Sequence, residues 1–225
     1  MIAVLVTGKD SQLAQCIQSL APKYSNLKFV FKASDKLDIT NRFQVNSVFT
    51  GSDQFDYCIN CAAYTAVDKA EAEAERAFVI STTGVKNIAE ACRNNNVTLI
   101  HISTDFLIDG TALKPYLEES LTNPLSVNGK TKLQGEQAIE NVLDNYFIMR
   151  TSWLYSEYGN NFLKMMLRLF KECSELNVVD DQYGSPTYAK DLAEVVITRN
   201  TTFGVYNNCN AGLASWYDFL VKYLD

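Results

Sequence analysis

The chain has 225 residues, of which 47% are hydrophobic and 20% charged, and its formal net charge is −6. These proportions are those of an ordinary globular protein with one large domain, or one domain and a small appendage. The acidic balance excludes a basic face for a nucleic-acid backbone, and no run of about 18 apolar residues predicts a membrane span. We therefore expect neither a nucleic-acid partner nor a membrane partner.

The cysteines are scattered along the chain and lie mostly in apolar surroundings: Cys16, Cys58, Cys61, Cys92, Cys173 and Cys209. In a chain of this length that pattern predicts reduced thiols in a cytoplasmic protein rather than a disulfide framework. Cys58 and Cys61 have the CxxC spacing of redox and zinc sites. A structural role is favoured, because no second CxxC is present, His101 is the only histidine, and the pair lies inside a predicted strand.

Short apolar runs alternate with segments of helical period along the first two thirds of the chain. The predicted strands are residues 2–7, 27–32, 57–62, 98–103, 146–151 and 177–179, and the predicted helices are residues 12–20, 42–49, 83–95, 130–143, 161–172 and 215–225. Strands that are apolar on both faces and separated by helices predict a parallel sheet covered on both sides. The fold class is therefore α/β, a Rossmann-like doubly wound parallel sheet with a small, shortened C-terminal substrate lobe.

The alternation of strands and helices loosens after about Gly159. This change predicts two units. Residues 1–158 form a dinucleotide-binding Rossmann domain, and residues 159–225 form a small substrate-binding lobe interleaved with the end of the sheet.

The first predicted strand runs directly into a glycine, and a helix follows, which is the setting of a dinucleotide phosphate loop. Gly8, Ser11 and Ala14 have the spacing of GxxGxxG but match it only at the first position. The Ser11 side chain would occupy space needed by a ligand unless its hydroxyl binds phosphate. The motif alone leaves a cofactor loop and an ordinary β–α turn as alternatives.

No acidic residue ends the second predicted strand, where one would bind a ribose 2′-hydroxyl. Lys32 and Ser34 stand there instead and could contact a 2′-phosphate. This composition favours NADP over NAD, although Lys32 could equally be a solvated strand end.

Polar motifs follow the third, fourth and fifth predicted strands, where ligands gather in this architecture. They begin at Asn60, His101 and Arg150, and the last leads into GNNF at residues 159–162. Together with NPLSVNGKTKLQGE and DQYGSPTYAKDLA, these segments resemble the extended short-chain dehydrogenase/reductase superfamily. More narrowly, they resemble its dTDP-4-dehydrorhamnose reductase family, in order from residue 1 to about residue 219.

The resemblance implies an enzyme of dTDP-L-rhamnose biosynthesis that reduces the C4 keto group of dTDP-4-dehydro-L-rhamnose with NADPH. In that family a hydroxyl residue and a tyrosine hold the carbonyl oxygen, the tyrosine supplies the proton, and a lysine lowers the tyrosine pKa. The matching catalytic positions are Thr104, Lys132 and Asn128, the last being the position of the family tyrosine. NADH is the alternative cofactor, the partner is a dTDP-4-keto-6-deoxy sugar, and a homodimer is left open.

The resemblance also assigns binding residues. Those implied for the cofactor are Gly8, Ser11, Gln12, Leu13, Asp38, Ile39, Ala62, Ala63, Tyr64 and Lys132; those implied for the substrate are Thr65, Val67, Asp105, Phe106 and Trp153. No metal is implied. Alternative interpretations remain: Trp153 as a core residue, Thr104 as a strand-end cap, and Lys132 as a solvated helix residue.

Several departures from the family pattern concern the same site. Asn128 replaces the tyrosine, Ser11 the second glycine, Phe106 a tyrosine beside the substrate, and Ser81 an asparagine. The chain is also shorter than the family, and residues 190–204 look clipped. Because an amide cannot supply the proton, the function expected is an impaired reductase. The alternative is a non-catalytic NADP(H)- or nucleotide-sugar-binding regulatory subunit of the same fold.

Overall fold

A computed structural model of the chain describes residues 1–112, 114–198 and 202–224. Residues 199–201, inside the run that looks clipped, and Asp225 lie outside the described residues. None of the described helices combines the length and the apolar character needed to cross a membrane.

A parallel sheet forms the centre of the fold. Its strands are β1 (Ile2–Thr7), β2 (Leu27–Lys32), β3 (Tyr57–Asn60), β4 (Thr98–Thr104), β5 (Tyr146–Thr151) and β9 (Gly204–Asn207), in the order β2-β1-β3-β4-β5-β9. The shorter strands β6 (Leu154–Tyr155), β7 (Tyr183–Gly184), β8 (Thr187–Tyr188) and β10 (Ala214–Ser215) form two small separate pairs. The predicted Rossmann-like fold is confirmed.

Helices cover both faces of this sheet. They are α1 (Gln12–Leu20), α2 (Arg42–Phe49), α3 (Val67–Ala70), α4 (Ala74–Phe78), α5 (Val85–Asn94), α6 (Val127–Glu140), α7 (Phe162–Glu172), α8 (Ala189–Thr198) and α9 (Trp216–Leu224). Leu5 and Leu99 face a core built with α2, α5 and α6, whereas Val6 and Ile59 face a core built with α1 and α8. Burial of both faces explains why the strands read as continuous apolar runs.

Several predicted elements differ from the structure at their ends, among them the strand predicted over residues 57–62, which ends at Asn60. The helix predicted over residues 83–95 follows a π-helical segment, Val79–Gly84, and begins at Val85. Helix α6 begins at Val127, three residues before its predicted start, because the Ser126 hydroxyl accepts the Gly129 N–H at 3.1 Å and caps the helix. The earlier start brings Asn128 inside the first turn.

The strand predicted over residues 177–179 is wrong. That segment is irregular, Val179 is half exposed, and its carbonyl accepts the Tyr217 N–H at 3.1 Å. The edge of the sheet is completed instead by β9, whose Val205 pairs with Ile148 of β5. A three-residue apolar run is too short to separate a strand from a loop that packs on a helix. The division into two units at residue 158 stays a prediction.

A buried ion pair joins α6 to β5. Arg150 Nη2 lies 2.7 Å from Glu136 Oε2, its Nε contacts both carboxylate oxygens at 3.2 Å, and the two side chains are 11% and 2% exposed. The remaining guanidinium nitrogen Nη1 donates to the Glu118 carbonyl at 3.1 Å. Bidentate geometry and burial make this pair a rigid connection between the helix and the sheet.

Replacing Glu136 by alanine should lower the free energy of unfolding by about 3–5 kcal/mol, because Arg150 would remain buried without its carboxylate. Urea denaturation followed by circular dichroism measures the change. Asp53→Ala is the matched control, because it breaks the exposed Lys28–Asp53 pair, also a short contact at 2.8 Å. It should leave the midpoint nearly unchanged. Equal losses in both variants would contradict the importance of burial.

Candidate functional site

A row of hydrogen-bonded polar side chains crosses three strands, at the carboxyl ends of β1 and β3 and in the middle of β4. Thr7, Asn60 and His101 are register partners on β1, β3 and β4, and all three are fully buried. Thr7 Oγ1 donates to Asn60 Oδ1 at 2.6 Å, and Asn60 Nδ2 lies 3.1 Å from His101 Nδ1. Burial lowers the pKa of His101 well below its usual value, so the ring is neutral.

This row was missed as part of the predicted site, although the sequence holds a signal for it. A polar residue ends β1 and β3, and His101 interrupts the apolar run of β4 at the same register. Asn60 Oδ1 also accepts the Ala62 N–H at 3.3 Å. The row therefore fixes the loop that follows β3 relative to the end of β1.

The turn after β1 has the form of a phosphate loop. Gly8 has φ +63°, and a Cβ there would lie 2.7 Å from the Ala62 nitrogen, so both conformation and space require glycine. Ser11 is the N-cap of α1, and its hydroxyl accepts the Ala14 N–H at 3.3 Å. A close glycine turn leading into a helix N-terminus fits a dinucleotide pyrophosphate. The Ser11 hydroxyl is engaged in capping the helix.

The other implied residues of this loop contribute differently. The Gln12 side chain reaches the segment after β5, accepting from Ser156 Oγ at 3.1 Å and from Asn161 Nδ2 at 2.9 Å. Leu13 is buried in the core beneath α1. We expect both to meet a ligand through main-chain atoms, since their side chains are committed elsewhere.

The implied residues after β2 form a capped turn. The Asp38 carboxylate accepts from the backbone N–H and the hydroxyl of Thr40, at 2.9 and 2.7 Å. Ile39 is buried against Gly84, where a Cβ would lie 2.7 Å from Ile39 Cγ1. Its carbonyl accepts the Asn87 amide at 3.0 Å, so Ile39 is a core residue whose main chain borders the site.

The main chain of Tyr64 is held from both sides. Its N–H donates to Ser81 Oγ, and its carbonyl accepts from Asn128 Nδ2, both at 3.3 Å. Its phenol donates to Glu73 Oε2 at 3.1 Å. Two positions that depart from the family, 81 and 128, thus meet at one residue. Ala62 and Ala63 before it are half-buried, whereas the implied substrate residues Thr65 and Val67 are exposed.

The first turns of α6 lie against the end of β4. A Cβ on Gly129 would lie 2.2 Å from the Phe106 carbonyl oxygen, so this approach needs glycine. One turn later, Lys132 Nζ donates to the Ile102 carbonyl at 2.8 Å. These contacts lie on either side of Thr104 in β4. Asn128 and Lys132, four residues apart, share the buried face of the helix and are 5% and 7% exposed.

The Lys132 ammonium group is buried, and burial disfavours its charged form. Burial lowers its pKa from 10.5 to about 8, against the smaller opposing effects of Glu136 and Cys61. At neutral pH the ammonium group is still charged. A buried cation beside a strand end can stabilise negative charge that develops on a ligand oxygen.

Thr104 and its neighbours form a compact polar turn. Thr104 Oγ1 donates to Asp105 Oδ1 at 3.2 Å and accepts the Phe106 N–H at 3.3 Å. Burial raises the pKa of Asp105. Phe106 is 41% exposed, and its contact with a substrate stays a prediction.

Trp153 lies further from this centre and packs against the C-terminal segment. Its ring stacks on Trp216 with centroids 3.5 Å apart, and its backbone has φ +46°. A Cβ on Gly184 would lie 2.6 Å from Trp153 Cε2, so the indole is closely packed. Only part of the ring therefore remains available to a substrate.

The CxxC cysteines lie in the core. Cys58 and Cys61 are both buried. The hydrogen bond with Cys92, followed by burial, raises the pKa of the Cys58 thiol, and burial raises the pKa of the Cys61 thiol. Among the described residues no group of three or more His, Cys, Asp or Glu side chains could hold a metal ion. Protonated, enclosed thiols have little nucleophilic reactivity.

Two open cavities of about 510 and 640 Å³ flank α9. They share Tyr155 and Tyr223, and neither is lined by Asn128, Thr104 or Lys132. The larger extends over residues 210–214, beside Tyr155 of β6. We therefore assign the chemistry to the strand-end site rather than to these cavities.

The comparisons with known proteins agree on one family. The profile described as RmlD substrate binding domain matches residues 2–224. A dTDP-4-dehydrorhamnose reductase of Aggregatibacter actinomycetemcomitans is 37% identical over 235 residues, which covers 100% of this chain and 79% of that protein. The dTDP-4-dehydrorhamnose reductase of Escherichia coli K12 is 40% identical over 225 residues, covering 96% and 75%.

A solved structure leads to the same family. The dTDP-4-dehydrorhamnose reductase of Bacillus anthracis, in complex with NADP, superimposes with a TM-score of 0.92 at 39% identity, covering 99% of this chain and 79% of that one.

The depressed pKa of Lys132 predicts a pH-dependent stability. Between about pH 8 and 10.5 the folded state releases the lysine proton while the unfolded state keeps it, so stability rises with pH. The unfolding free energy of the wild type, minus that of Lys132→Met, should increase across this window by up to about 3 kcal/mol. Urea titrations of both proteins at several pH values measure it. A difference that stays flat or falls would contradict the burial of a charged lysine.

Proposed function

The chain belongs to the RmlD substrate binding domain family, and from this premise we propose that it is a weakened NADPH-dependent reductase. Its substrate would be dTDP-4-dehydro-L-rhamnose, whose C4 keto group would be reduced. One observation carries the proposal: the buried Lys132 ammonium donates to the Ile102 carbonyl at 2.8 Å, two residues before Thr104 at the end of β4.

The dinucleotide would lie across the ends of β1 and β3. Its pyrophosphate would meet the Gly8 turn and the N-terminus of α1, and its nicotinamide ribose would meet Lys132. When bound, NADPH supplies the hydride. The relative of known structure that binds NADP supports this choice of cofactor.

Two lysines favour the 2′-phosphate of NADPH. The Lys9 N–H donates to the Lys32 carbonyl at 3.1 Å, which places both residues together at the ends of β1 and β2. No acidic residue occupies residues 32–34 to repel a phosphate. Positive charge at this position is the usual determinant of preference for NADP over NAD.

The protein residues act on the carbonyl oxygen. The Thr104 hydroxyl would turn from Asp105 to that oxygen, and the Lys132 charge would stabilise the developing alkoxide. No phenol at position 128 delivers the proton, so water must do so. General acid catalysis is typically worth roughly 10²–10⁴-fold, and we expect turnover to be lower by about that factor.

The second candidate is a non-catalytic subunit that binds NADP(H) or a nucleotide sugar. It is favoured by the hydrogen bond from Asn128 to the Tyr64 carbonyl, which gives the amide a structural role. Prolonged incubation with NADPH and the keto sugar separates the candidates. Oxidation of NADPH supports the reductase. Calorimetric binding of NADPH without oxidation supports the binding subunit.

Asn128→Tyr should raise the rate of NADPH oxidation by about 10²-fold, because a phenol can deliver the proton. The rate is followed by absorbance at 340 nm, a wavelength at which NADPH but not NADP⁺ absorbs. Asn128→Phe is the matched control, since it adds the same ring without the hydroxyl. Both variants lose the bond to Tyr64, so circular dichroism must first show that they fold. Equal rates in the two variants would refute the missing proton donor as the defect.

Lys32→Ala should weaken NADPH binding about tenfold, or about 1.4 kcal/mol, and leave NADH binding nearly unchanged. The reason is the loss of a cation that only the 2′-phosphate contacts. Isothermal titration with each cofactor measures both affinities. Lys28→Ala, at the other end of β2, should alter neither. An equal loss for NADPH and NADH would place Lys32 away from the 2′-phosphate.

A further inference from the structure

The orientation of the Asn128 amide is fixed by its partner. The Tyr64 carbonyl can only accept a hydrogen bond, so the amide must turn Nδ2 toward it, at 3.3 Å. The opposite atom, Oδ1, has no hydrogen-bond partner among the described residues. Among the described residues, the fully buried side-chain atoms without a partner are His101 Nε2, Ser103 Oγ and Thr151 Oγ1. Asn128 Oδ1 is not one of them, so it keeps some contact with solvent. Position 128 thus presents an acceptor where the family tyrosine presents a donor.

The neighbouring hydroxyl is arranged in the same way. The Thr104 hydrogen points to Asp105 Oδ1, and the Thr104 oxygen already accepts the Phe106 N–H. As long as it donates to Asp105, the Thr104 hydroxyl offers a ligand only its remaining lone pair, and donation to a ketone would first break that hydrogen bond. The Asp105 carboxylate adds further acceptor oxygens beside it. Among the described residues Lys132 Nζ donates only to the Ile102 carbonyl, and under the proposed function its remaining N–H groups meet the cofactor ribose.

Ketones and alcohols differ in what they need from such a site. A ketone oxygen only accepts hydrogen bonds, whereas a hydroxyl group both donates and accepts. Opposite the Asn128 Oδ1 atom, a ketone would place lone pairs against lone pairs. An alcohol would donate its hydrogen to Oδ1 and complete a chain from the ligand through the amide to the Tyr64 carbonyl.

We propose that the pocket discriminates by the oxidation state of the sugar and binds the C4 alcohol in preference to the C4 ketone. This inference rests on the proposed function, since it places a nucleotide sugar at the strand-end site. It gives Asn128 a specific role as the residue that recognises the reduced sugar. A reductase with this preference holds its product more tightly than its substrate, and a binding subunit with it responds to the reduced sugar nucleotide.

Isothermal titration with dTDP-L-rhamnose, dTDP-4-dehydro-L-rhamnose and dTDP tests the preference. Cofactor is left out throughout, so that the ketone cannot be reduced and the alcohol cannot be oxidised. The wild type should bind the alcohol about tenfold more tightly than the ketone, the value of roughly one hydrogen bond. Equal affinities, or tighter binding of the ketone, would overturn the proposal.

Two variants locate the origin of the preference. Asn128→Leu keeps the branched shape of the side chain but removes the acceptor together with the donor to Tyr64, and it should bind alcohol and ketone equally. Should Asn128→Leu fail to fold, Asn128→Ala serves the same purpose. Ser81→Ala removes the other hydrogen bond to Tyr64 and leaves the amide in place, so it should retain the preference.

If Ser81→Ala also loses the preference for the alcohol, the preference depends on the position of Tyr64. If Asn128→Leu keeps the preference, a residue other than Asn128 causes it. Either result overturns the role of Oδ1. The titration with dTDP separates a failure of the proposed function from a failure of this inference. If dTDP does not bind the wild type, the proposed function itself fails. If dTDP binds but the two sugars bind alike, only the present inference fails.

Discussion

The close seating of α6 on the end of β4 is the constraint on which the site depends. Gly129 lets the helix approach the Phe106 carbonyl, and further along, the Glu136–Arg150 ion pair fixes the helix to β5. Between these two contacts, Lys132 is carried into a buried position it would not occupy on a solvated helix face. A helix held at both places leaves little freedom for the side chains between them, and this rigidity positions Asn128 and Lys132 at the strand ends.

Burial and charge have opposite effects at this site. Lys132 is desolvated, which weakens its hold on a proton, while the neutral Asn60–His101 row beside it adds no further charge. In an enzyme with a tyrosine at position 128, such a lysine would favour the phenolate. Here no phenol is available, so under the proposed function the same charge would act on the ligand directly. Under the proposed function, asparagine at position 128 changes which group the Lys132 charge stabilises, but it leaves the charge in place.

Much of the fold could be predicted because its signal is local. The strands Ile2–Thr7, Leu27–Lys32 and Tyr146–Thr151 stand out as apolar runs bounded by polar residues. The edge strand Gly204–Asn207 could not be predicted in this way, since what defines it is pairing with a distant strand. The site followed the same rule. Position 128 could be recognised from its motif. The hydrogen bond from its amide to the Tyr64 carbonyl joins residues 64 positions apart, and neither local sequence predicts it.

The stack of Trp153 on Trp216 has an optical consequence. These are the only two tryptophans of the chain, and their rings are nearly parallel, with an interplanar angle of 8°. One belongs to the segment that leaves the central sheet and the other to the final helix. The tryptophan emission of the chain, and any exciton signal in its near-ultraviolet circular dichroism, therefore originate at a single joint. That joint reports whether the helix Trp216–Leu224 remains docked on Trp153.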